Sequence, residues 1–124
     1  MEQNHQRQQL LKDFLGLRFA PIALKFLSKE EKIPENALRP RQDLGMHIAL
    51  CQAFAMARRQ NQTVYMDKFD HWCWNPILTY GLVPFDPESE EVRLIASKMG
   101  IEGPEKAKEF VNAFPRIPYG TYTG

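Results

Sequence analysis

No long apolar run appears anywhere in this sequence. Its most apolar stretch, residues 19–27, carries Pro21 and Lys25 and falls far short of the roughly 20 apolar residues that cross a bilayer. The N-terminus also lacks the basic start, apolar run and small-residue cleavage site of a secretory leader. Cysteine is scarce: two in 124 residues and no leader point to a reducing compartment, where a structural disulfide is not expected. The cytoplasm is therefore the expected location. An excess of one charge is missing as well. Sixteen basic side chains against fifteen acidic ones leave a formal charge of +1, so there is no broad electrostatic pull on nucleic acid. Neither a nucleic acid nor a membrane is an expected partner. There is no Gly-x-Gly-x-x-Gly, no phosphate-binding Walker loop, no internal repeat and no low-complexity segment.

What is present belongs to a folded chain. Hydrophobic residues make up 44% and charged ones 25%, a balance that argues against wholesale disorder. The length allows one modest core. Residues 1–124 are accordingly expected to form a single domain, or the N-terminal portion of a larger one.

Periodicity gives the elements. Leu10, Leu11, Phe14, Leu15 and Leu17 fall mostly on one helical face, and Gly16 marks a stop. Ile22, Leu24 and Phe26 alternate with Ala23 and Lys25, the period of a half-buried strand begun by Pro21. Residues 28–43 form a polar connector in which Pro34 and Pro40 forbid a long helix. Asp43 is placed to cap a helix running to about Arg59, with Leu44, Ile48, Cys51 and Ala55 as its apolar stripe. Residues 63–66 read as a second short strand, and Asn75-Pro76 opens a short helix ending near Gly81. Asp86 as cap, Pro87 behind it and Gly100 beyond the end mark a further helix. Gly103-Pro104 then opens another, so the two make a helical hairpin. The expected fold is α/β or α+β: helix-rich, with a small sheet flanked by helices. Two strands are marginal alone, and residues 117–124 close no element, so the sheet is expected to be incomplete without a C-terminal half or a partner chain.

Several segments carry a family resemblance. Leu15-Gly-Leu followed by Pro21-Ile-Ala-Leu-Lys-Phe comes first, then Arg39-Pro-Arg before Leu50-Cys51-Gln-Ala. Thr63-Val-Tyr-Met, Asp70-His71 with Cys73, Gly81-Leu82 and Pro115-Arg-Ile-Pro-Tyr-Gly complete the order. In these the chain resembles the domain of unknown function 169 family of archaea and bacteria. The resemblance covers nearly the whole chain. Members of that family usually continue well past this length, which implies that the sequence corresponds to the front part only. The family brings no established reaction.

The chemistry-bearing residues fall into three groups. His47 and Cys51 are four apart, adjacent on one side of the expected helix, and His71 and Cys73 would share one side of an extended segment. Two thiolates and two imidazoles would suit tetrahedral zinc, and an iron–sulfur cluster is the other metal reading. The spacing matches no known zinc pattern, and buried free cysteine is a common packing residue. His71 is also the nearest candidate base for a reactive Cys73 thiol. Second, Arg39 and Arg41 stand before a helix start, where guanidinium groups can hold a phosphate or carboxylate of a cofactor; solvated surface arginines are the plainer reading. Third, Phe69, Trp72, Trp74, Tyr80 and Phe85 crowd together as core, as partner surface or as a ligand wall. Three functions follow: a metal- or cofactor-binding protein, a thiol enzyme, or a non-catalytic interaction module completed by a partner chain or by self-association.

Overall fold

The computed structural model describes residues 2–124; Met1 lies outside the described residues. Among the described residues six helices account for the regular structure: α1 Glu2–Phe14, α2 Pro40–Asp43, α3 Leu50–Gln60, α4 Trp74–Thr79, α5 Glu90–Lys98 and α6 Pro104–Ala113. Most of their ends sit where the sequence punctuates them. Gly16, Gly81 and Gly100 all have positive φ, the conformation that terminates a helix at low cost when no Cβ is present. Pro104 opens α6 from Gly103. Helix α5 starts later than expected. Asp86 forms a turn by accepting from the Glu88 N–H at 2.9 Å, and Ser89 is the cap, its Oγ accepting from the Val92 N–H at 3.3 Å.

The expected helix from Asp43 to Arg59 is two pieces. Asp43 closes the single turn of α2, where its Oδ2 accepts from the Arg39 N–H at 2.6 Å. Gly45, at φ +68°, turns the chain out of the helix. Helix α3 starts afresh after Ala49, whose N–H donates to Gln52 Oε1 at 2.7 Å. This late start shifts the buried face. Cys51 and Ala55 are exposed, whereas Ala53 is buried with Leu50 and Met56 beside it.

The expected α/β or α+β architecture is corrected: among the described residues there is no β-strand and no sheet. Two isolated parallel bridges, Leu38 to Val64 and Ile48 to His71, are all that pairs. Residues 22–26 do run without helical structure, but their backbone bonds to no other described residue. The backbone of residues 63–66 pairs only with Leu38, through Leu38 N–H to Thr63 C=O at 2.9 Å and Tyr65 N–H to Leu38 C=O at 3.0 Å. A period of two marks a segment able to pair, but pairing needs a neighbour at strand distance. Here a groove separates the two candidates.

The core has two parts. Ile48, Ala53 and Met66 pack together with Leu50, Met56 and Val64 around them. The expected helical hairpin supplies the second: α5 and α6 pack on each other and bury Val92, Ala96, Ala107 and Val111. Ile77 and Leu78 of α4 are buried as well. The chain end returns to the first part. Leu27 N–H donates to Gly124 C=O at 2.8 Å, Thr123 N–H donates to Leu27 C=O at 2.9 Å, and Phe26 packs between the rings of Tyr80 and Tyr122 at centroid distances of 5.0 and 5.1 Å. Helix α1 is tied to the rest of the fold through Gln8, whose Nε2 donates to the Pro21 C=O at 3.0 Å. The leucine face of α1, which the spacing of these residues indicates, is uncovered, with Phe14 85% exposed and Leu10 68%. No helix among the described residues is long and apolar enough to cross a membrane.

Candidate functional site

The main concavity is a groove of about 390 Å³, within the roughly 300–1,000 Å³ of ordinary ligand sites. Residues 20–27 form one wall and residues 61–66 the other. Leu50, Ala53, Phe54 and Ala57 of α3 line it from one side, and Tyr80 and Leu82 also reach it. The Lys25 and Arg58 side chains join the lining, so an apolar channel carries cations. Lys25 is already paired with Glu31.

His71 belongs to this lining. The bridge to Ile48 fixes it: Ile48 N–H donates to Asp70 C=O at 2.9 Å, and Trp72 N–H donates to Ile48 C=O at 2.8 Å. Side chains alternate along extended backbone, so His71 turns inward to 6% exposure while Trp72 turns outward to 76%. Its Nδ1 is buried and has no hydrogen-bond partner. Burial holds the imidazole below its usual pKa of 6.5, with Asp70 and Asp67 pulling it part of the way back. The sign follows from proton linkage. Below pH 6.5 the unfolded chain takes up a proton that the folded chain resists. The stability due to a neutral His71 is therefore complete above pH 6.5 and declines as the pH falls toward the lowered folded value. Urea midpoints should drop between pH 7.5 and 5.5, and His71→Gln should flatten that slope; an equal slope in the variant would assign it to other groups.

Beside His71, Asp70 is 2% exposed. Its Oδ1 accepts from the Arg41 N–H at 2.9 Å and its Oδ2 from the Asp67 N–H at 3.0 Å. One carboxylate thus ties the start of α2 to the turn at 67–70. The Arg39 guanidinium donates to Asp67 Oδ2 at 3.3 Å and lies over the Tyr65 ring at 5.4 Å. Arg41 is exposed and lies over Phe69 at 5.5 Å. The two arginines thus diverge around Pro40, and Arg39 already has a carboxylate. That side of the molecule holds a structural network in which Asp70 is central. The sequence named Asp70 only within the family segment Asp70-His71 and gave it no role of its own.

The cysteine–histidine grouping is not drawn together. His47 lies two residues before the N-cap of α3 and is exposed, so its four-residue spacing to Cys51 is no helical turn. Cys51 is exposed, Cys73 is the half-buried N-cap of α4, and both are free thiols. Among the described residues no group of three or more histidine, cysteine, aspartate or glutamate side chains is placed to hold a metal ion. The aromatic group divides too. Phe69, Trp72 and Trp74 are exposed, Tyr80 reaches the groove, and Phe85 packs beneath Arg116, 4.3 Å from its ring centre.

The elements describe a helical chain organised around an open, mostly apolar groove with one buried histidine. Its sequence matches the DUF169 family, described as an uncharacterised ArCR, over residues 10–124, and the chain belongs to that family. No curated protein and no solved structure matches it.

Proposed function

We propose that the chain is a non-catalytic binding module whose groove holds a mostly apolar ligand. The single observation behind this reading is the groove itself: an open channel of ligand size, apolar along α3, edged by cations and reached by a buried imidazole with an unused nitrogen. A buried polar atom without a partner costs free energy, and a ligand or water that reorganised the ring's surroundings would recover part of it.

The test uses anilinonaphthalene sulfonate, an apolar probe carrying an anion that suits Arg58. Its fluorescence should rise saturably with the protein and fall at least fivefold with Ala57→Trp, which fills the channel from α3. Circular dichroism would confirm that the variant is folded. The double change Leu10→Ser and Phe14→Ser strips the bare face of α1 and should leave the signal intact. Dye uptake lost with the α1 change but kept with Ala57→Trp would move the site to α1 and end the groove reading.

Metal or iron–sulfur binding through Cys51, Cys73, His47 and His71 has no gathered set of donors behind it among the described residues. Binding of an organic cofactor falls within the groove reading.

A further inference from the structure

We infer that the groove's ligand is a small, mostly apolar molecule carrying an uncharged hydroxyl, and that this hydroxyl bonds to the His71 imidazole. The inference rests on the groove reading above and names the ligand class. His71 lines the groove at 6% exposure. Its Nδ1 is buried without a partner, and no described group hydrogen-bonds to the ring. Among the described residues that line the groove, this is the one buried side-chain nitrogen or oxygen left unpaired. The surroundings select the group that would meet it. The Asp70 and Asp67 charges act on the ring, so an anionic head would be repelled. A cationic head gains little from them, because Asp70 is spent on the N–H groups of Arg41 and Asp67 and Asp67 on Arg39 and the Phe69 N–H. Burial penalises either charge. A hydroxyl both donates and accepts, so it suits the neutral ring in either tautomer, and no protein bond fixes that tautomer. A single unspent polar group also matches one polar atom of a small molecule. A peptide would bring a row of backbone donors and acceptors into the apolar channel, each costly without a partner.

The probes are 2-naphthol and 2-methoxynaphthalene, which share one ring system; the ether can accept a hydrogen bond but has none to donate. Equilibrium dialysis against the full chain near neutral pH gives both affinities, and Ala57→Trp should remove both. The ratio of naphthol to ether affinity should fall about tenfold in His71→Leu, the factor set by losing one hydrogen bond at the strong end of the ordinary net range. Retained ether binding would show that the groove of the variant still forms. His71→Gln keeps a donor and an acceptor and should keep part of the ratio. Nitrogen NMR of the unsubstituted protein is an independent measure: naphthol should shift the His71 ring signals and the ether should not. An unchanged ratio in His71→Leu, or ring signals that naphthol leaves in place, would overturn the assignment to His71, with water serving the ring instead. Tighter binding of N-acetyltyrosinamide than of naphthol would make the hydroxyl a peptide's and end the small-molecule claim. Dye uptake blocked by Ala57→Trp, with neither naphthalene bound, would overturn the hydroxyl class and leave the groove in place. Binding of no probe at all would remove both readings together.

Discussion

Replacing Gly81 by alanine is expected to cost on the order of 3–4 kcal/mol, a large part of the roughly 5–15 kcal/mol that holds an ordinary domain. Two effects add. Gly81 has φ +64°, where an L-residue with a Cβ is strained by about 1–2 kcal/mol. The added Cβ would also overlap the carbonyl oxygen of Ile117 and come within 2.8 Å of that of Pro118. Both obstacles are backbone, so no rotamer change relieves them. The approach is close because the chain returns to this turn: Ile117 N–H donates to Thr79 C=O at 2.8 Å and Gly120 N–H donates to Gly81 C=O at 3.1 Å. Gly100 is the control. Its φ is also positive, +79°, but nothing lies within 4 Å of an added Cβ, so Gly100→Ala should cost only the backbone strain. Urea unfolding of the two variants separates the effects. Equal losses would mean that the docking of residues 117–120 on Gly81 contributes nothing.

Asp70→Ala is expected to cost about 3 kcal/mol, because hydrogen bonds to a charged acceptor contribute roughly 1.5–3 kcal/mol and a donor left buried without a partner is costly. The carboxylate serves two backbone N–H groups at once, those of Arg41 and Asp67. Alanine would strand both. Asp70→Asn should recover only part of the loss, since the amide keeps one oxygen and turns an NH2 toward the other donor. Because Ile48 and His71 are paired through the Asp70 main chain, loosening this turn should also disturb the groove lining, read as weaker dye uptake under conditions where the variant is still folded. An Asp70→Ala protein within 0.5 kcal/mol of the parent, an about-average surface effect, would show that water replaces the carboxylate at both donors.

The sequence by itself determined the features that local chemistry controls. Gly16, Gly81 and Gly100 end helices because positive φ suits glycine. Gly103-Pro104 starts α6 because proline at the first helical position lacks only an N–H that would be unpaired anyway. The α5–α6 hairpin was legible because both apolar stripes and both sets of ends lie close together in the chain. Membership of the family was legible in segments such as Gly81-Leu82 and residues 115–120, which the fold brings into contact.

Only the tertiary structure decided what depends on distant partners. The alternation at 22–26 and 63–66 states that two segments can run extended; it does not state whether they meet, and they face each other across a groove. The spacing of Leu10 and Phe14 asks for cover without saying that the described chain leaves them bare. The spacing of His47 and Cys51 implied one helical face only while a helix ran through both, and Gly45 and the late start of α3 removed that condition. Asp70 and His71 became central, and the groove became the site, because bonds to residues 20 to 30 positions away in sequence fixed them, and a count of local periods holds no information about such contacts.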